Sequence, residues 1–187
     1  MNTYNGALRT RVDRMESWVN RETVFDGRIF RVESGTVRLD DGAIAKRDVV
    51  LHPGAVAVVP VIDDHVIFVR QYRIAVSRHM LEIPAGKLES GDTPEHRAQV
   101  ELAEEIGFVA DRLVPVGGTF PSVGILDEYV HLFLAFDLRP ESREADGDER
   151  IEVVRIPLDE VRRRLRANEF QDAKTAIGLH ALLVHAE

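Results

Sequence analysis

Residues 86–108 read GKLESGDTPEHRAQVELAEEIGF, a glycine-bearing loop that runs into a helix. Thr93 suits the N-cap, Pro94 the first helical position and Gly107 the C-terminal stop. At about 100° per residue, Glu101, Glu104 and Glu105 fall within an arc of about 100°, while Leu102, Ala103 and Ile106 cover the other side. Like charges at this spacing repel by roughly 0.2–0.5 kcal/mol per pair, and no Lys or Arg follows four residues later to offset them. Either water solvates an ordinary acidic face, or a cation neutralises it.

The segments on either side set this helix in an α/β frame. Upstream, AVAVVP (55–60) and HVIFVRQ (65–71) flank Asp63-Asp64 and predict a central hairpin, with a further strand over 80–83 and a loop over 84–92. Downstream, 113–120, 128–137 and 151–156 predict strands, and 139–150 is a polar, acidic connection. Helices over 158–167 and 172–184 follow, with Asp172 as a cap for the second. Residues 1 to 18 are a polar lead. From Thr23 onward three short antiparallel strands are punctuated by Asp26-Gly27, Ser34-Gly35 and Asp41-Gly42. Pro53-Gly54 marks the boundary, giving a lead and β-meander over 1–52 and a main domain over 53–187. Mixed strands around one helix, with helices at the end, imply an α/β sandwich.

Composition narrows the partners. A formal charge of −8 over 187 residues disfavours attraction to nucleic acid or anionic lipid. The longest apolar runs are too short to span a bilayer, and the first 18 residues lack a signal-length apolar stretch, so cytoplasmic residence is the expectation. The chain has no cysteine, which excludes disulfides and thiolate chemistry. No zinc-ligand spacing, phosphate-binding loop of the Gly-Lys-Ser/Thr type or dinucleotide glycine fingerprint is present.

Loop and helix together resemble the Nudix hydrolase motif through Gly86, Glu101, Leu102, Glu104, Glu105, Gly107 and Phe108. Asp92 stands where the motif has its first Glu, and Val100 where it has Arg. The resemblance implies a Nudix-type α/β/α sandwich with a mixed sheet, preceded by the small N-terminal antiparallel meander. It also implies metal-dependent pyrophosphate hydrolysis with Mg²⁺ or Mn²⁺, the metal held by Glu101, Glu104, Glu105 and the Ala85 carbonyl. Glu101 and Glu105, four residues apart, stand one above the other and can reach one ion or bridge two. The resemblance places the catalytic base late in the chain. Glu149 is the first choice, with Asp148 and Glu152 behind it, and Glu104 assists. In the motif the first Glu and the Arg form an ion pair; here Arg97, one turn before Glu101, is positioned to pair with Asp92 or Glu101 instead.

HPGAVAVVPVIDD, FVRQYRIAV, LEIPAGKLESGD and DAKTAIGLHALL (beginning at residues 52, 68, 81 and 172) further resemble the ADP-ribose pyrophosphatase branch of that family. That resemblance implies hydrolysis of ADP-ribose or a related nucleoside diphosphate sugar to AMP and ribose 5-phosphate. It assigns Arg73 to the diphosphate, Asp127 and Glu128 to the substrate, and Arg47 and Phe30 to the nucleotide of a second subunit in a homodimer. A guanidinium suits a diphosphate bidentately and an aromatic ring suits an adenine face. Phe30 reads first as one more core aromatic on a strand, whereas for Arg47 the two readings stand level. Two alternatives remain at this level: the same chemistry on another nucleotide sugar or dinucleotide, and a catalytically weak homologue that binds nucleotide.

Overall fold

A computed structural model of the chain describes residues 16–141, 143 and 150–185. The chain divides into two compact units, Met1–Leu51 and His52–Glu187.

The first unit is a three-stranded antiparallel sheet ordered β1 (Ser17–Asp26), β2 (Arg31–Arg38), β3 (Ile44–Leu51). β1 begins at Ser17, six residues before the expected start. The reason is visible in its pairing with β2, whose register shifts between Trp18 and Asn20 and again between Thr23 and Phe25. Such bulges break the period-2 alternation by which a strand is recognised. Trp18, Val19, Phe25, Ile29, Phe30 and Ile44 are all exposed, so this sheet leaves much of its apolar surface uncovered.

The second unit is built on β4 (Ala55–Ile62) and β5 (His65–Arg73). They turn at Asp63 and Asp64, both with positive φ, but pair only at Val61–Val66 and Ile62–His65. Beyond those two pairs they separate. β4 goes on to pair in parallel with β9 (Val130–Pro140) and antiparallel with the three-residue β7 (Ala85–Lys87). β5 pairs with β6 (Arg78–Glu82) and β10 (Glu152–Pro157), and β8 (Phe108–Thr119) pairs with β9. The splayed hairpin therefore seeds two halves of a mixed sheet. β7 lies within the expected loop over 84–92; Pro84 and Gly86 interrupt its sequence too closely for a strand pattern to show.

Both faces of β4 are covered, which explains its unbroken apolar run. Ala55, Ala57 and Val59 pack with Phe68, Ile83 and Leu132 against α2 (Leu158–Arg166) and α3 (Ala173–His185), through Val161, Leu165, Leu179 and Leu182. Val56 and Val58 face the other way, joining Ile67, Val69 and Phe133 around Ala98, Leu102 and Ile106. These last three belong to α1 (Pro94–Glu101) and its continuation, so α1 and α2/α3 enclose the sheet in an α/β/α sandwich. Among the described residues no helix is long and apolar enough to cross a membrane.

Candidate active site

α1 begins as its sequence requires. Thr93 has extended backbone angles and its hydroxyl accepts the His96 N–H at 3.2 Å, with Pro94 at the first helical position. The ordinary α-helix ends at Glu101. Leu102–Ile106 form a wider π-helical turn, closed where the N–H of Gly107 (φ 74°) donates to the Leu102 carbonyl five residues back. The Gln99 side chain fixes α1 to β8, donating to the Ala110 carbonyl at 2.7 Å and accepting its N–H at 2.9 Å.

Glu101 and Glu105 are 5% and 6% exposed, unusual for carboxylates without compensation. Their surroundings supply it. The Ala85 N–H donates to Glu105 Oε2 at 3.0 Å. Glu101 lies against Gly86 so closely that any Cβ there would overlap its carboxylate, which is why this position takes glycine. Arg97 directs Nε at Glu101 Oε1 (2.7 Å) and a terminal nitrogen at the same oxygen (2.6 Å), and reaches to 3.8 Å from Glu104 Oε2. Of the two partners open to Arg97 in the sequence, the structure selects Glu101. Asp92 instead closes its own loop, accepting the Glu89 N–H at 3.1 Å and lying 3.4 Å from His96 Nδ1. Val100 is buried. Among the described residues no three His, Asp or Glu side chains already converge on one cation position. The donor set nonetheless suits a hard cation, which takes one or two carboxylates with waters and phosphate oxygens. Two buried carboxylates beside the β7 backbone, one of them already carrying a cationic side chain, meet that description.

A second charged cluster lies on β5, β6 and α3. Arg73 donates to both oxygens of Glu82 at 2.7 and 2.8 Å, and Lys174 Nζ reaches Glu82 Oε2 at 2.5 Å and Asp172 at 3.0 Å. Asp172 is also the expected cap of α3, accepting the Thr175 N–H and hydroxyl at 3.0 and 2.6 Å, while that hydroxyl accepts the Ile83 N–H at 3.0 Å. Glu82 is 3% exposed. Burial pushes its carboxyl up, but the hydrogen bonds and charges of Arg73 and Lys174 outweigh this and hold it at about 2. The Glu82 hydrogen bond raises the proton affinity of Arg73 against the effect of burial, and the charges of Glu82, Glu105 and Asp172 reinforce it. Neither Glu82 nor Lys174 was among the expected site residues. A lone carboxylate in the apolar stretch MLEIP, and a lone lysine opening the apolar helix AKTAIGLHALL, are the signals that could have found them.

Arg73 and Lys174 open onto a cleft of about 270 Å³, lined also by Ala85, Gly86, Lys87 and Glu128 and floored by Ala55 and Val130. The cleft thus joins a cationic wall to the β7 backbone against which the α1 carboxylates rest. Of the expected substrate residues, Arg73 and Glu128 line it. Asp127 is turned to a structural bond, accepting the His52 N–H at 2.7 Å, and Glu128 lies 3.6 Å from His52 Nδ1. Arg47 and Phe30 belong to the first unit, where Arg47 is engaged by both oxygens of Glu16 and Phe30 packs at 5.4 Å from Phe25. Glu149 and Asp148 lie outside the described residues. Glu152 is on β10, paired with Arg70 at 2.9 Å. Leaving β9, the chain runs against the π-helical turn: the N–H groups of Glu141 and Arg143 donate to the Gly107 and Ala103 carbonyls, each at 3.1 Å.

A family model described as the NUDIX domain matches residues 51–176. Over 170 residues the chain is 41% identical to an ADP-ribose pyrophosphatase of Bacillus subtilis, covering 89% of this chain and 92% of the relative. Over the same length and coverage it is 34% identical to a methanol dehydrogenase activator of Bacillus methanolicus. The fold superposes on a crystal structure of an ADP compounds hydrolase with a TM-score of 0.82 and 29% identity, covering 90% of this chain and 92% of that one.

Proposed function

The chain belongs to the Nudix hydrolase family, and we propose that it hydrolyses the pyrophosphate bond of ADP-ribose or a related nucleoside diphosphate sugar, giving AMP and ribose 5-phosphate or the corresponding sugar phosphate. One observation carries this reading. A single cleft brings the cationic pair Arg73 and Lys174 to the β7 backbone on which the Glu101 and Glu105 carboxylates rest. A diphosphate needs both a guanidinium or ammonium clamp and a metal to balance its charge.

Each residue has a part in this reading. Arg73, pinned by Glu82, presents its guanidinium to the diphosphate without having to be ordered at binding, and Lys174 adds a point charge beside it. Glu101 and Glu105, with Glu104 and the Ala85 carbonyl, hold the divalent cation, Mg²⁺ or Mn²⁺. That cation supplies charge neutralisation at the diphosphate and lowers the pKa of water. Glu149 takes the proton from the attacking water; in support, Arg143, six residues before it, donates its N–H to the carbonyl of Ala103, between Glu101 and Glu104. Asp127 holds the His52 backbone, leaving Glu128 to face the substrate.

Residues 1–52 serve in this proposal as the dimerisation element of a cytoplasmic homodimer, with Arg47 and Phe30 offered to the nucleotide of the other subunit. The uncovered apolar side chains of the three-stranded sheet, Phe25, Ile29 and Phe30 among them, support this. Sedimentation of Phe25→Asp beside the parent tests it, and an unchanged mass sinks it.

The substrate assignment is tested by release of AMP from a panel of nucleoside diphosphate derivatives with Mg²⁺ or Mn²⁺, run in parallel on Glu105→Gln. Equal release by parent and variant overturns the metal assignment. No release from any member of the panel favours a nucleotide-binding role.

A further inference from the structure

We infer that Arg97 is the internal counter-ion of the α1 carboxylates, holding them until a divalent cation takes them over, so that cation affinity is set by competition with this side chain. The inference rests on the reading of Glu101, Glu104 and Glu105 as the cation site. Arg97 places two nitrogens on one oxygen, Glu101 Oε1, at 2.7 and 2.6 Å, and a terminal nitrogen 3.8 Å from Glu104 Oε2. The Arg97 and Glu101 side chains are 17% and 7% exposed, so water screens this pair far less than it screens a surface ion pair.

The alternative role is a mechanical brace between loop and helix, and the contacts argue against it. A brace would reach Asp92, the acidic residue of the loop; Asp92 is engaged by the Glu89 N–H and faces His96 instead. Val100, where the motif carries its own arginine, is buried, and the positive charge comes from one turn earlier on the carboxylate face. Among the described residues no three acidic or histidine side chains converge on one point, which fits carboxylates drawn toward a guanidinium. A guanidinium and a cation that draw on the same oxygens repel each other and exclude each other's best geometry.

The two roles predict opposite signs. Removing a brace loosens the carboxylates and weakens cation binding. Removing a competing counter-ion tightens it, while the metal-free protein, having lost the Arg97 charge beside its carboxylates, melts lower. The experiment titrates the full chain with Mn²⁺ alone, counting the free ion by electron paramagnetic resonance, for the parent, Arg97→Gln, Arg97→Lys and Glu105→Gln, with melting curves in chelator and in Mn²⁺. Arg97→Gln is expected to bind about tenfold tighter, as the loss of one charge-assisted pairing implies, with a lower metal-free melting temperature and a larger rise on adding Mn²⁺. Arg97→Lys, which keeps the charge but not the two-nitrogen grip, falls between parent and Gln, and carries the test if Arg97→Gln does not fold. Unchanged or weaker binding in the foldable Arg97 variants overturns the inference. If Mn²⁺ binding by the parent is absent, or survives Glu105→Gln, the cation-site reading has itself failed. If Glu105→Gln abolishes binding and the Arg97 variants bind no tighter, only the counter-ion role has failed.

Discussion

The two charged clusters of the second unit are built from the same residue types in different proportion. Around Glu82 two cations, Arg73 and Lys174, meet two carboxylates, Glu82 and Asp172; around Arg97 one cation faces Glu101 and Glu104, with Glu105 beside them. The first closes its charges among residues of β5, β6 and α3 and needs nothing further to fold. In the second, Arg97 is shared between carboxylates. Buried charges of one sign favour a partner of the other, and in the proposed reading the carboxylates of the second cluster take a cation while Arg73 and Lys174 take the diphosphate.

The largest expected effect strikes the self-contained cluster. Glu82→Ala leaves Arg73 without its carboxylate and Lys174 with Asp172 alone, and is expected to cost about 3 kcal/mol in urea unfolding, the low end for a broken buried pair because the Arg73 side chain is 43% exposed and can rehydrate. A loss below about 0.5 kcal/mol, the level of a surface pairing, would put the two clusters on the same footing. The same pairing predicts the acid limb. The Glu82 carboxyl, lowered from 4.5 to about 2, contributes stability that is whole above pH 4.5 and lost as the pH falls toward 2, a limb that Glu82→Gln removes in acid titrations followed by circular dichroism.

Glu105→Gln comes next and should spare stability, since an amide oxygen can still accept the Ala85 N–H. It is expected to lower kcat by about 100-fold, or about 2.7 kcal/mol in the barrier, and to abolish the Mn²⁺-induced rise in melting temperature. A stability loss as large as that of Glu82→Ala would show the acidic cluster to be structural. Arg73→Ala should raise KM about tenfold with kcat near that of the parent, the sign of binding shared by ground and transition states. The smallest effect is expected for Thr93→Ala, which removes the α1 cap. It should cost about 1 kcal/mol in urea unfolding and leave Mn²⁺ affinity unchanged.

The site was legible where local spacing settles it. Glu101, Glu105, Thr93, Pro94 and Gly107 all depend on neighbours within a few turns, and a helix with its caps can be read from one stretch of chain. Asp172 was legible as a cap for the same reason. The Glu82 cluster joins residues 73, 82 and 174, a link that exists only once β5, β6 and α3 have packed together. The choice of Arg97 between Asp92 and Glu101 was likewise open until the loop folded and gave Asp92 its own backbone donor. In the fold, the α/β/α layering followed from the order of elements, whereas the parting of β4 from β5 after two residue pairs left no mark on either apolar run. The start of β1 was hidden by its bulges, which shift the alternation without ending the strand.

The wide turn at Leu102–Ile106 also bears on which changes of length this chain tolerates. It holds more residues per revolution than an α-helix would, so deleting Ala103 could restore regular winding without unravelling α1. The helix would survive and the ruler would not: Glu104 would take the register of the buried Ala103 and Glu105 that of Glu104, each turned by about 100° relative to Glu101. Insertions and deletions between Glu101 and Gly107 are therefore screened by geometry more strictly than substitutions.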